Sequence, residues 1–180
     1  MIREGKKSIG ILPVGDIPFL DEVNRTVSET FCLPVEVIRV GLDLRSAYNP
    51  ERLQFHAGTI LRMLREIPHP FLKLVALLDV DLYEHGLNFV FGEATLGGRE
   101  AVVSIARLYH DDPERFLSRI LKEVNHELGH AFGLRHCPDP SCVMSFSNSV
   151  LDVDRKGIQP CPVCRRKLDS ILLSLGIHPC

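Results

Sequence analysis

The chain has 180 residues, 45% of them hydrophobic, and a formal net charge of −2. That length suffices for one domain with a good core, and so even a charge leaves no broad basic field of the kind that binds nucleic acid. No apolar run approaches about 18 residues, so no membrane span is expected. No apolar stretch after Met1 is long enough for a secretory signal, so the cytoplasm is the expected compartment.

Taken in order, residues 8–14 read as a first strand, closed by Pro13 and Gly15. Asp16 is a candidate cap for a helix over 18–31, where Leu20, Val23, Val27 and Phe31 recur at helical spacing. Residues 35–44 are apolar on both faces and predict a central strand covered on both sides. Asn49-Pro50 predicts a helix start, with the helix running to about residue 66 and Leu53, Ile60, Leu61 and Leu64 inward. His56 on that helix reads as a surface or boundary histidine. Residues 72–82 form a third apolar strand, with Asp79 and Asp81 at its end as ordinary turn residues. Two short strands, 89–94 and 101–108, follow around Gly97-Gly98. Asp112-Pro113 repeats the cap-plus-proline signal and opens a long helix. This alternation predicts an α/β (α+β) fold with a mixed, mostly parallel twisted sheet. Residues 137–160 read as loops, and 162–175 as a last amphipathic helix.

The long helix carries His126-Glu127-Leu128-Gly129-His130. Histidines four apart stack on one helical face and can share one ion. At about 100° per residue, Leu117, Ile120, Leu121, Val124, Leu128 and Ala131 form the packing stripe and both histidines point away from it. Glu127 between them is placed to act as a general base. Gly133 can end the helix with φ > 0, and the chain can then return His136 to the same ion. Three protein ligands leave one coordination position open, the mark of a catalytic zinc. Met144 follows, by itself an unremarkable core residue.

Four of the six cysteines form close pairs, Cys137 with Cys142 and Cys161 with Cys164. Two such pairs separated by a loop match a tetrahedral structural zinc site. Disulfides are the alternative, and a reducing compartment disfavours them. Cys32 reads as a small buried hydrophobe and Cys180 as a tail thiol.

Together, the run from His126 through Gly133 to His136-Cys137, then Cys142-Val143-Met144 and Cys161-x-x-Cys164, resembles the archaemetzincin family of zinc metallopeptidases. Residues 87–107 are similar to the family as well. The spacer between Met144 and Cys161 is one residue shorter than the usual pattern. The resemblance implies a metzincin-like domain over 1–180, with an upper part (1–133) holding the sheet and active-site helix. The lower part (134–180) would hold a Met-turn at Met144, a four-cysteine zinc and the C-terminal helix. It implies two Zn²⁺ per chain, one catalytic and one structural, and a zinc-dependent peptidase acting on peptide or protein substrates. An edge strand near 87–94 would dock the substrate by β-augmentation. Ser145 and Phe146 follow Met144, so the tyrosine fifth ligand of some metzincins is not expected. A first strand starting near residue 8 leaves no room for a latency segment, so no zymogen is expected.

Two other functions fit parts of the pattern. A ribosomal-RNA-maturation ribonuclease has the same histidine spacing but usually lacks the glutamate and wants a basic surface. A non-catalytic zinc-stabilised peptide-binding module would keep every ligand and lack turnover. A monomer is expected, without nucleic-acid or membrane partners.

Overall fold

The computed structural model describes residues 5–180; residues 1–4, read above for a secretory leader, lie outside them. A five-stranded sheet runs in the order β2 (Val35–Val37), β1 (Lys6–Val14), β5 (Phe71–Leu78), β8 (Glu100–Ser104), β7 (Gly92–Ala94). All neighbours are parallel except β7, which lies antiparallel to β8. The predicted mixed, mostly parallel sheet is therefore present.

Strand pleat explains why β5 is apolar from Leu74 to Leu78. Val75 and Leu77 face a core shared with α1 (Leu20–Phe31) and α3 (Pro113–Phe132). Leu74, Ala76 and Leu78 face a second core built on α2 (Ala57–Glu66). A strand covered on both faces has no polar side. At about 25 cal/mol per Å² of apolar surface removed from water, these two layers dominate the stability of the domain.

Several local expectations are corrected. The strand predicted over 35–44 is only Val35–Val37 and lies at the sheet edge, not its centre. Asp16 does not cap α1; its own amide donates to an Asp79 carboxylate oxygen, and Phe19 enters the helix in the left-handed region at φ 62°. Asn49 opens no helix. Its side chain accepts the Glu51 and Arg52 amides, making the turn between β3 (Tyr48–Asn49) and β4 (Gln54–His56). An asparagine that bonds its own backbone two residues on favours a turn as readily as a cap. Leu53, predicted inward, is 72% exposed. The helix starts at Ala57 with His56 as its cap, and Ile60, Leu61 and Leu64 are buried as expected. β3, β4 and β6 (Leu82–Tyr83) form a small second sheet that the sequence did not suggest.

The lower region is less irregular than predicted. It contains α4 (Val150–Arg155) within the expected loops, and α5 (Pro162–Ser174). Cys32 and Cys180 form a disulfide, which corrects both their separate assignments.

Candidate active site

α3 is positioned by local chemistry at both ends. Asp112 accepts the Glu114 amide and Pro113 occupies the first turn. At the other end Gly133 takes φ 109° and donates its amide to Gly129 and His130 carbonyls. That left-handed step is costly for any residue with a Cβ. It turns the chain so that Leu134 donates to Gly129 at 2.9 Å and His136 comes back against the helix.

The three histidines predicted as ligands meet. One ring nitrogen from each of His126, His130 and His136 lies within 4.8 Å of the others. The second nitrogens set the tautomers. His126 Nδ1 donates to the Val143 carbonyl at 2.8 Å, and His130 Nδ1 to the Leu134 carbonyl at 2.7 Å. A carbonyl only accepts, so both Nε2 atoms carry lone pairs. Those Nε2 atoms face each other at 3.1 Å. Two lone pairs at that distance repel unless a cation lies between them. Two ligands on one tetrahedral ion at 2.0–2.1 Å stand about 3.3 Å apart, so the pair fits zinc. Burial first, and the nearby Lys156 charge second, hold the His126 imidazole well below its usual range and so neutral, as a ligand must be. Burial also lowers the pKa of His130 and His136.

Met144 is fully buried beneath this group. A Cβ on Gly129 would run into its sulfur, so glycine is what allows α3 to lie against this methionine. Ser145 donates to the Cys142 carbonyl at 2.9 Å and Cys137 to the Met144 carbonyl at 2.9 Å, closing a tight turn under the histidines.

Glu127 lies on the β7 side, where a Cβ on Gly92 would stand 2.7 Å from its Cγ. Burial, reinforced by the Glu123 charge, pushes its carboxyl well above the usual range. A cation at the histidines acts in the opposite direction. A cavity of about 250 Å³ opens here between β7, Glu127, the three histidines and Phe146. Phe146 packs edge-on to His136 with ring centroids 5.3 Å apart. The predicted docking strand is shorter than 87–94: only Gly92–Ala94 joins the sheet, as its last strand, while Val90 bridges instead to Leu82 of β6.

The four predicted cysteines also converge, with all sulfurs within 4.8 Å of one another. The Cys161 amide donates to Cys142 Sγ at 3.2 Å and the Cys164 amide to Cys161 Sγ at 3.5 Å. Amide bonding holds the Cys161 thiol down to about 7, whereas burial pushes Cys142 and Cys164 up. Sulfurs facing amide donors in a tetrad suit a thiolate-bound zinc. Cys137 directly follows His136, so the two clusters share one backbone turn.

Sequence reasoning missed an ion pair beneath the histidines. Lys156 Nζ lies 2.8 Å from a Glu123 carboxylate oxygen, with both side chains sealed from solvent. It is also 3.4 Å from the Ser145 carbonyl and 3.4 Å from His126 Nδ1. The Nδ1 proton is already given to Val143, so that last contact is charge against dipole. A periodic pattern marks Glu123 only as a helical residue, and nothing local links it to a lysine after α4. Asn125 is buried too, donating to Thr30 Oγ1 and the Ile158 carbonyl.

Comparison with known proteins agrees with this geometry. The model of peptidase family M54 matches residues 18–170. An archaemetzincin from Methanopyrus kandleri is 52% identical over 122 residues, covering 68% of this chain and 70% of its own length. One from Pyrococcus abyssi is 42% identical over 178 residues, covering 90% and 94%. The crystal structure of the Methanopyrus kandleri archaemetzincin superposes with a TM-score of 0.87 at 44% identity, covering 95% of this chain and 98% of that one. The Archaeoglobus fulgidus structure gives 0.80 at 41% identity, covering 89% and 99%. No helix of the described residues is long and apolar enough to cross a membrane. A match of this extent in both sequence and fold means that the chain belongs to peptidase family M54, the archaemetzincins, and is a zinc metallopeptidase.

Proposed function

We propose that the chain hydrolyses peptide bonds at the three-histidine cleft, with Glu127 as general base. The facing Nε2 lone pairs of His126 and His130, with His136 closing the group and Glu127 alongside, carry this reading. These three imidazoles would hold the catalytic ion. Bound zinc supplies Lewis acidity, polarising a carbonyl and bringing the pKa of water toward about 7. Glu127 takes the proton of the attacking water and passes it to the departing amine. Burial raises the basicity of this carboxylate, which favours the first half of that shuttle, acceptance of the water proton. The backbone of β7, the last strand of its sheet, would align an extended substrate by strand addition. Met144 shapes the floor of the site. Cys137, Cys142, Cys161 and Cys164 would hold a second, structural zinc that fixes the turn bearing His136.

The test is a peptide-library assay on wild type and Glu127→Ala, with zinc counted in both. Cleavage by wild type alone, at two zinc ions per chain in each, is expected. Cleavage by Glu127→Ala would remove that carboxylate from the reaction. Two ions without cleavage in wild type would leave a peptide-binding module.

A further inference from the structure

A second group of possible ligands lies on the opposite face of β7 from the histidine cleft. Glu93 sits between Gly92 and Ala94, and the strand pleat turns its side chain toward α2, where Arg62 and Arg65 act on it. There it meets Glu84, which follows β6, together with His56 and His85.

We propose that His56, Glu84 and His85, completed by Glu93, form a further divalent-cation site behind the edge strand. One ligand atom from each of the first three lies within 4.8 Å of the others. The His56 and His85 rings are 4.5 Å apart, and His56 Nε2 is 2.8 Å from Glu84 Oε1. Glu93 adjoins Glu84, with which its carboxyl shares a hydrogen bond only while protonated; its buried Oε2 meets no N–H or hydroxyl donor. A buried carboxylate oxygen without a donor calls for a proton or a cation.

The frame is built before any ion enters. His56 caps α2, its Nδ1 accepting the Thr59 amide at 3.2 Å with Thr59 Oγ1 at 2.9 Å. Glu84 accepts the Gly58 amide at 3.2 Å and the His85 amide at 2.9 Å. Two carboxyls side by side cannot both ionise without a counter-charge. Burial, then a hydrogen bond shared with Glu84 and the Glu84 charge, push Glu93 up to about 7, while hydrogen bonds from the His85 amide, the His56 imidazole and Glu93 hold Glu84 at about 2 against burial. A proton thus stands where a cation would serve both groups.

Binding balances as an exchange. The ion enters and the Glu93 proton leaves to solvent. His56 keeps one proton but shifts it: Nε2 gives it up to face the ion and Nδ1 carries it, so the bond Nδ1 accepts from the Thr59 amide is exchanged for one it donates to Thr59 Oγ1. Two imidazoles with carboxylates select Zn²⁺, Ni²⁺ or Co²⁺ over Mg²⁺ or Ca²⁺. Arg62 and Arg65 oppose the ion, which sets its affinity below that of the histidine triad.

The experiment is equilibrium dialysis of the full chain against buffered free Zn²⁺, and separately Ni²⁺, with metal counted per chain. Wild type is compared with His85→Ala/Glu93→Gln. Both positions leave the His56 cap intact, and circular dichroism checks the fold. The same comparison is repeated in a His126→Ala/His130→Ala background, which makes the result independent of the proposed peptidase site. One equivalent fewer in the double variant, in both backgrounds, is expected. Calorimetry near pH 6 in buffers of different ionisation enthalpy should show about one proton released for that equivalent. Equal stoichiometry with and without the substitutions overturns the proposal. So does an extra equivalent that vanishes with the triad.

Discussion

Replacing Lys156 with methionine leaves Glu123 as an uncompensated charge inside the protein. The Lys156 side chain is 0% exposed and that of Glu123 is 3% exposed, so water cannot screen the loss. Breaking one side of such a pair costs about 3–5 kcal/mol. In a chain of this size each kcal/mol lowers the melting temperature by about 2–4 °C, so a drop of roughly 6–20 °C is expected. The double variant Glu123→Leu/Lys156→Met removes both charges and both desolvation penalties, and replacing a buried pair by apolar groups is often neutral or stabilising. It should recover most of the loss. The assay is urea unfolding of wild type, both single variants and the double variant at fixed free zinc, analysed as a double-mutant cycle. A Lys156→Met cost under about 1 kcal/mol, or losses that simply add in the double variant, would refute the claim that these two buried charges compensate each other.

Two further predictions concern the chain's C-terminal tether and the back of β7. The Cys32–Cys180 disulfide joins residues 148 apart, and closing so long a loop restricts the unfolded chain by about 5 kcal/mol at most. Reductant should lower the melting temperature of wild type and leave Cys180→Ser unmoved; an identical response in both proteins rejects a stabilising bridge. Glu93 gives a pH signature with a definite sign. Its folded pKa of about 7 lies above the ordinary 4.5, so the folded chain keeps a proton that the unfolded chain gives up. The associated stability is complete below about 4.5 and is lost as pH rises through 7. In chelator, the melting temperature of wild type relative to Glu93→Gln should therefore fall between pH 5 and pH 8, and a constant difference would show that no proton is held there.

Much of the site was legible because its signals are local. His126 and His130 share a helical face by their spacing alone, Asp112-Pro113 starts that helix, and Gly133 ends it. Each of these is decided within about one turn of chain, where backbone geometry leaves few alternatives. The apolar run of β5 likewise announced a strand buried on both sides.

The misreadings share the opposite property. Asn49-Pro50 offers both a helix cap and a turn, and pairing of β4 with β6 chose the turn. Residues 35–44 read as a central strand, yet only Val35–Val37 pairs, at the sheet edge, where Glu36 meets Lys6. Cys32 meets Cys180, Lys156 meets Glu123, and Glu93 meets Glu84 across separations that carry no periodic trace. Short-range sterics and hydrogen bonding thus wrote the ligand-bearing helix and its ends into the sequence itself. Which distant charges and thiols became neighbours was left to the packing of sheet against helices, because burial and partner choice arise only once the whole chain has closed on its core.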